Sequence, residues 1–278
     1  MKHPARILIF AASFFITGIS CNTDTIDTGI PAEIQKEAKP WAYWWWMGNS
    51  VTPADITANL EKYSRAGLGG LHIIPIYGEK GDESNFIDFL SPKWMEILNH
   101  TLAEAERLGL GIDMTCGTGW PFGGPGIGEE HAAKAFEVIE LENAEPFLPE
   151  DLFSQFEGLK LLSLAGYDRE DNYMDIPFSR DGEGTIHWTI PAPEYKVYAL
   201  FQRMTGQQVK RAAPGGEGYV VDYFSKRSSQ SYFQKFRKAF EETEFSSGKV
   251  RSFYNDSYEV YGANWTNDFP EHFERLRG

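Results

Sequence analysis

The residues most able to do chemistry lie in one short stretch, Arg251–Thr266, which starts like a strand and continues without a helix pattern. Its candidate carboxylate, amide and aromatic side chains are Asp256, Glu259, Asn255, Asn264 and Trp265. Sugar rings stack on aromatic side chains, and cleavage of a glycosidic bond needs a carboxylic acid. The stretch therefore predicts either a carbohydrate site or a polar loop whose Asn and Asp residues cap turns and a following helix.

Three further candidates lie elsewhere in the chain. Asp222 stands inside the apolar run VVDYF, where an unpaired carboxylate is costly to bury. This favours a role in binding sugar hydroxyls or calcium, with a salt bridge or turn cap as the structural alternative. Trp46 and Trp120 are predicted, like Trp265, to be platforms for sugar rings. No spaced metal-ligand motif is present, so metal ligands stay unassigned.

The glycine-rich run GTGWPFGGPGIG, residues 117–128, invites comparison with phosphate-binding loops. Its spacing matches neither nucleotide fingerprint, no Lys follows it, and Pro121 and Pro125 remove amide donors. The run instead predicts a shaped loop that presents Trp120 and Phe122 beyond the end of a strand.

Composition narrows the class of partner. The 278 residues include 26 Lys and Arg against 40 Asp and Glu, for a formal net charge of -14. A nucleic-acid partner is not expected, because no basic cluster is present to meet phosphates. Aromatic residues make up 15% of the chain, a content that suits an oligosaccharide or polysaccharide substrate but also supplies a core.

The N-terminus predicts export. Residues 1–21 have a short basic region, an apolar run and small residues before Cys21, as in a bacterial lipoprotein signal. Cys21 would then carry the lipid, residues 22–39 would form a tether, and the protein would be anchored to a membrane in the periplasm or at the cell surface. An ordinary secretory peptide is the alternative. The second cysteine, Cys116, is predicted to be a small buried apolar residue.

Strand and helix patterns alternate over residues 40–134. Apolar strands are predicted at residues 41–47, 71–77 and 111–116, with helices that begin after Thr52 and Ser91. Short links between such elements imply parallel strands with right-handed crossovers.

The period changes to two over residues 135–213, which predicts an inserted all-β domain because the segment is too long for a loop. The strand–helix pattern resumes over residues 214–278, with a fourth strand at Gly218–Phe224, a fifth at the start of Arg251–Thr266 and a helix near Asp268. Five strand–helix units are thus predicted, whereas a closed (β/α)8 barrel has eight. An open sheet and a truncated barrel both remain possible, and we favour the truncated barrel.

Several motifs in order resemble glycoside hydrolase family 106, the bacterial α-L-rhamnosidases. They are PWAYWWWMGNSVTPADITANLEKYSRAGLGGLHIIPIYG, GIDMTCGTGWPFGGP, APGGEGYVVDYFSK and NDSYEVYGANWTNDFPEHFERLRG. The resemblance implies a (β/α)8 TIM-barrel-type fold, inverting hydrolysis of terminal α-L-rhamnose, and calcium in the sugar site. Glu259, in the matching SYE motif, would be the catalytic acid, buried among Tyr254, Tyr258 or Trp265.

Family members continue for hundreds of residues past the matching region. The sequence therefore predicts an incomplete and inactive fragment that lacks the second catalytic carboxylate. Two alternatives stay open: a non-catalytic, glycan-binding surface lipoprotein, and a barrel glycosidase with another sugar preference.

Overall fold

The structure, a computed structural model, describes residues 34–141, 159–182, 186–189 and 195–278. Its strands are β1 (Trp41–Met47), β2 (Gly70–Ile76), β3 (Gly111–Thr115), β4 (Lys134–Leu141), β5 (Lys160–Tyr167), β6 (Tyr173–Asp175), β7 (Phe178–Arg180), β8 (Ile186–Trp188), β9 (Lys196–Met204) and β10 (Val250–Tyr254). Its α-helices are α1 (Pro53–Arg65), α2 (Pro92–Arg107), α3 (Lys226–Glu241) and α4 (Phe269–Arg277), and short 3-10 helices cover Lys36–Ala38 and Glu83–Asn85. Cys21 and the predicted signal lie outside these residues, and no helix within them is long and apolar enough to cross a membrane.

A parallel sheet in the order β1-β2-β3-β10 carries the main hydrophobic core on one face. β1 alternates, so Trp44 and Trp46 point into that core while Trp45 is exposed. The ring of Trp46 lies 5.7 Å from that of Trp94 on α2. Burial of these large rings supplies much of the apolar area that holds the helices on the sheet.

The predicted helix starts are confirmed. The side chain of Thr52 accepts a hydrogen bond from the backbone of Asp55 at 3.2 Å, with Pro53 at the first turn of α1. The side chain of Ser91 accepts one from the backbone of Trp94 at 3.3 Å at the start of α2. Each cap satisfies an amide that the helix itself leaves unpaired.

Two antiparallel sheets lie between β3 and α3 in the chain. One has the order β4-β9-β5-β6, and the other pairs β7 with β8. They have a hydrophobic cluster separate from that of the parallel sheet, which includes Leu164, Val197 and Phe201. The alternating pattern predicted β-structure here, and the fold is mixed α/β with separate antiparallel sheets.

The predicted fourth strand is wrong. Gly218–Phe224 does not join the parallel sheet, because β10 pairs directly with β3, with Tyr254 opposite Thr115. The segment instead makes isolated antiparallel bridges, including Val220 with Gly123. A short apolar run has the same pattern in a buried strand and in a buried bridging segment. The described residues therefore form four parallel strands, not the five that we predicted.

That bridge explains one glycine of the glycine-rich run. A Cβ on Gly123 would lie 2.3 Å from the carbonyl oxygen of Tyr219, closer than any real contact. Gly123 therefore lets two backbones approach, which is a structural use of glycine rather than a phosphate cradle.

Candidate functional site

A cavity of about 440 Å³ opens beside the carboxyl ends of β3 and β10. The residues that line it are Cys116, Phe122, Tyr223, Ser229, Phe233, Asn255 and Tyr258. In parallel α/β folds the carboxyl edge of the sheet is where loops assemble binding sites. The cavity has the size of a small-ligand site.

One side of the cavity is fixed by α3. Tyr232, buried on this helix, donates a hydrogen bond from its hydroxyl to the carbonyl of Cys116 at 2.9 Å. Its ring lies 4.4 Å from the ring of Phe122, so the glycine-rich loop is packed against the helix. Burial raises the pKa of the Cys116 thiol, so that thiol stays protonated at neutral pH and is a poor nucleophile.

The other side is formed by the loop after β10. The ring of Tyr258 lies edge-on to that of Tyr223, with 5.8 Å between the ring centres. The Nδ2 atom of Asn255 is buried and has no hydrogen-bond partner in the structure. A buried amide donor without a partner costs free energy, and a ligand oxygen in the cavity would satisfy it. Asn255 therefore brings an unpaired donor to the cavity, and its role in substrate binding stays a prediction.

The two predicted carboxylates of this loop, Asp256 and Glu259, do not line the cavity. Both are exposed, and the Oδ1 atom of Asp256 accepts a hydrogen bond from the Tyr254 hydroxyl at 3.0 Å. Glu259 is held through its backbone, whose carbonyl accepts a hydrogen bond from Gln207 at 2.7 Å. Glu259 is not buried among aromatic rings as predicted, because its loop runs along the surface after β10 ends.

Asp222 lies beneath this edge and is 1% exposed. Its Oδ1 atom accepts a hydrogen bond from the backbone of Phe224 at 3.1 Å, while its Oδ2 atom has no partner. Burial raises the pKa of Asp222, although the nearby Thr266 hydroxyl and the charge of Lys134 oppose the rise. Asp222 thus caps the turn before α3 and does not line the cavity, and its role in binding sugar hydroxyls or calcium stays a prediction.

Lys134 is the cation whose charge acts on Asp222, and its side chain is 2% exposed. Its ammonium donates to the carbonyls of Glu130 at 2.9 Å and Ala132 at 2.8 Å rather than closing an ion pair. Burial lowers the pKa of Lys134, while the charge of Asp222 opposes this. Burial thus dominates for both partners, so the pair is not a tight salt bridge.

Two predicted sugar platforms are corrected. Trp46 is 0% exposed in the main core, because the alternation of β1 turns it toward the helices. Trp265 is 7% exposed, and its indole nitrogen donates to the Oε1 atom of Gln202 at 2.9 Å. Neither ring has a free face for a sugar. Trp120 is half-buried on the glycine-rich loop, and its role as a platform stays a prediction.

Asn264 also has a structural contact. Its Oδ1 atom accepts a hydrogen bond from the backbone of Phe136 at 3.0 Å, at the start of the antiparallel sheet. This bond ties the loop after β10 to β4. Asn264 does not line the cavity, and its role in substrate binding stays a prediction.

The calcium implied by the resemblance has no carboxylate cluster to bind it among the described residues. Among them, no group of three or more His, Cys, Asp or Glu side chains could hold a metal ion. Calcium prefers six to eight oxygen ligands, several of them carboxylates. Calcium therefore stays a prediction from the resemblance, and no chemical step is assigned to it.

Sequence reasoning missed part of the cavity. Phe233 and Ser229 on α3 are not among the predicted site residues, yet both line the cavity, and Phe233 is 43% exposed. The spacing of Ser229 and Phe233 was a usable signal, because residues four apart lie on the same face of a helix.

An aromatic cavity at the carboxyl edge of a parallel sheet, beside a loop with exposed carboxylates, is the kind of site found in glycoside hydrolases. Comparison with known families gives the same class. Residues 33–142 and 168–278 match the family model described as alpha-L-rhamnosidase, and the chain belongs to glycoside hydrolase family 106. The resemblance drawn from the sequence motifs is confirmed.

Two known proteins are similar to the chain. A "Putative beta-glucuronidase" of Formosa agariphila is 22% identical over 322 aligned positions, which cover 100% of this chain and 27% of that protein. The structure of a rhamnosidase from Novosphingobium sp. PP1Y superposes with a TM-score of 0.61 at 15% identity, covering 88% of this chain and 41% of the rhamnosidase. The second comparison shows a shared fold. The chain spans about a quarter of the first relative's length and less than half of the second's.

Proposed function

We propose that the cavity receives the neutral sugar of an α-L-rhamnoside, and that Glu259 serves as the acid of an inverting hydrolysis. The proposal rests on the residues that line the cavity of this chain, which belongs to the rhamnosidase family. Among the described residues that line it, aromatic rings predominate, one amide donor is unsatisfied and none is charged. Aromatic faces and a neutral donor suit a sugar that has hydroxyls but no ionised group.

The same lining argues against a uronic acid. The Formosa relative is named a putative beta-glucuronidase, and a glucuronide carries a carboxylate. An ionised carboxylate moved into a largely apolar cavity needs a cation or several donors to offset its lost hydration. The cavity's described lining offers Asn255, Ser229 and tyrosine hydroxyls but no Lys, Arg or His, so we favour the neutral sugar.

The chemistry follows from the two-carboxylate scheme of inverting enzymes. Glu259 would donate its proton to the glycosidic oxygen as the bond breaks, and a second carboxylate would take a proton from the attacking water on the opposite face of the sugar. The two carboxyl groups of such enzymes lie about 6.5–9.5 Å apart to leave room for that water. We assign no residue of this chain to the second role.

The fold of the whole catalytic unit is part of the proposal. We infer that the parallel sheet is a portion of a (β/α)8 barrel, and that the antiparallel sheets are an insertion between β3 and α3. The parallel order β1-β2-β3-β10, the helices on one face and the similarity to the rhamnosidase fold support this. In such barrels the loops at the carboxyl edge build the active site.

Glu259→Gln tests the assigned acid. The variant keeps the shape of the side chain but cannot donate a proton, so the protein expressed from its full reading frame should lose about 10²–10⁴-fold in kcat on an alkyl α-L-rhamnoside. The loss should shrink on an aryl rhamnoside with an activated leaving group, which needs little protonation. Glu271→Gln, at an exposed glutamate on α4, is the matched control. Turnover by Glu259→Gln at the wild-type rate would remove Glu259 from the mechanism.

A non-catalytic glycan-binding protein is the second candidate. It is favoured by one observation: neither Asp256 nor Glu259 lines the cavity. Binding without cleavage would appear as a rhamnoside affinity that falls in Asn255→Ala and is unchanged in Glu259→Gln, with no product released by the wild type. Product release with inverted anomeric configuration, followed by NMR, would instead support hydrolysis.

We also propose that the mature protein is tethered to a membrane through a lipid on Cys21. The support is the order of basic, apolar and small residues before Cys21 in the sequence. A lipid anchor would place the protein at the periplasmic face or the cell surface, where polysaccharide substrates are met.

A further inference from the structure

The side chain of Gln207 joins two segments that are far apart in the chain. Its Nε2 atom donates a hydrogen bond to the carbonyl of Glu259 at 2.7 Å. Its Oε1 atom accepts one from the backbone amide of Tyr261 at 2.8 Å. A single amide thus satisfies an acceptor and a donor two residues apart, as a neighbouring strand would.

Gln207 is itself held on a fixed frame. Its backbone carbonyl accepts a hydrogen bond from Val220 at 3.0 Å, and its backbone amide donates to the hydroxyl of Thr205 at 3.3 Å. Val220 is 1% exposed and bridges to the glycine-rich loop through Gly123. The amide of Gln207 therefore projects from a packed part of the molecule.

The loop after β10 is no longer part of the sheet. Its pairing with β3 ends at Tyr254, and both Tyr258 and Glu259 are exposed. Inside the loop, Glu259 donates from its backbone to the Ser257 hydroxyl at 3.3 Å, and Val260 donates to the carbonyl of Tyr258 at 2.6 Å. Besides Gln207, the outside contacts near Glu259 are the ring of Tyr223 on Tyr258 and the ammonium of Lys210, 5.4 Å from the centre of the Tyr261 ring.

We propose that Gln207 is a positioning residue that holds the loop bearing Tyr258 and Glu259 in register with the cavity. The proposal rests on the proposed function, because it gives the loop a catalytic purpose. Gln207 touches no substrate in this scheme and acts through the backbone on both sides of the candidate acid. If the acid is displaced, the catalysed reaction slows even when the sugar still binds, because proton transfer depends on position more steeply than binding does.

Three variants separate the two hydrogen bonds. Gln207→Ala removes both. Gln207→Glu is nearly isosteric and keeps the acceptor for the Tyr261 amide, but it loses the donor to the Glu259 carbonyl. Gln208→Ala is the matched control, because Gln208 is the same residue type one position later, is exposed, and pairs with Tyr219 through its backbone.

The first measurement is hydrogen exchange at the Tyr261 amide, which needs no substrate. Gln207→Ala should exchange roughly tenfold faster there, the effect of losing one ordinary hydrogen bond. Gln207→Glu keeps an acceptor for this amide but repels the Glu259 carbonyl, so its exchange rate should lie between those of the wild type and Gln207→Ala, and Gln208→Ala should be unchanged. Unchanged exchange in Gln207→Ala would overturn the proposal, whatever the activity.

The second measurement is kinetic, on the protein expressed from its full reading frame. Gln207→Ala and Gln207→Glu should lower kcat on an alkyl α-L-rhamnoside by roughly tenfold, with KM within about twofold of wild type. The loss should shrink on an activated aryl rhamnoside, as for a misplaced acid. A merely structural role would reduce the active fraction and lower kcat equally on both substrates. That result would overturn the positioning role.

The two proposals fail in different ways. Absence of turnover by the wild type would reject the proposed function and the catalytic purpose of the loop, while the exchange experiment would still decide whether Gln207 anchors it. Normal turnover by the wild type, with equal losses on both substrates in the Gln207 variants, would reject only the positioning role.

Discussion

At the scale of single residues, burial rather than charge pairing governs the ionisable groups beneath the candidate site. Asp222 and Lys134 are nearly inaccessible, yet the ammonium of Lys134 bonds backbone carbonyls and the Oδ2 atom of Asp222 has no partner. Each group is shifted toward its neutral form, chiefly by desolvation. The folded state therefore bears a cost when Asp222 is ionised.

Asp222→Asn should remove that cost. Because the pKa of Asp222 is raised above 3.8, the folded chain keeps the proton at pH values where the unfolded chain has released it. The free energy of unfolding of the wild type therefore falls as pH rises from 3.8 to the raised value, and it stays lower above that value. Denaturant unfolding at a series of pH values should show that the free energy of unfolding of Asp222→Asn increases relative to that of the wild type over this pH range.

Asp88→Asn, at an exposed position, is the control for this experiment and should give a pH profile parallel to that of the wild type. A parallel profile for Asp222→Asn as well would show that Asp222 does not hold its proton in the folded state.

At the scale of elements, β1 shows why an aromatic run cannot be assigned to a site from its composition. WAYWWWM places three tryptophans in succession, and a strand turns successive side chains to opposite faces. Trp44 and Trp46 meet the helices, whereas Trp45 lies on the other face and is 56% exposed. A shift of one residue along the strand would therefore exchange the buried and exposed tryptophans.

The neighbours Trp46 and Trp45 give a matched pair of substitutions. Trp46→Ala should lower the free energy of unfolding by about 3–5 kcal/mol, because it leaves a cavity among Trp44, Trp94 and their neighbours. Trp45→Ala should change it by roughly 0.5 kcal/mol, as at most exposed positions. Urea unfolding of both variants checks this, and equal losses would contradict the assigned faces.

At the scale of the whole molecule, the described residues divide their apolar side chains between two cores. One lies between the parallel sheet and α1, α2 and α3, and the other lies within the antiparallel sheets. The glycine-rich loop, the segment before α3 and the loop after β10 all contribute to the cavity at the carboxyl ends of β3 and β10. The formal charge of -14 disfavours binding to anionic polymers such as nucleic acids.

The proposed lipid tether is a property of the whole protein and is tested in cells. Wild-type protein expressed with a labelled fatty acid should incorporate the label and partition with membranes, whereas Cys21→Ala should lose both properties because it lacks the acceptor thiol. Cys116→Ser, which leaves the signal intact, is the control and should label normally. Equal labelling of wild type and Cys21→Ala would reject the anchor.

The features that depend on local chemistry could be predicted from the sequence alone. Capping residues and apolar periodicity fixed the starts of α1 and α2 and the strands β1, β2 and β3, because caps and periods act within a few residues. Ordered motifs identified the family. The alternating pattern predicted β-structure between β3 and α3. The polar stretch after β10 identified Asn255 as a candidate, and this residue lines the cavity.

Which faces and edges meet could be seen only in the folded protein. Gly218–Phe224 has the composition of a buried strand, yet it pairs with Gly123 and Ala132, because pairing partners are chosen by distant segments. Trp46 and Trp265 have the chemistry of sugar platforms but fill interior space, while Phe233 and Tyr258 are turned toward the cavity. Residue type sets what a side chain can do, and packing between segments far apart in the chain sets whether a ligand can reach it.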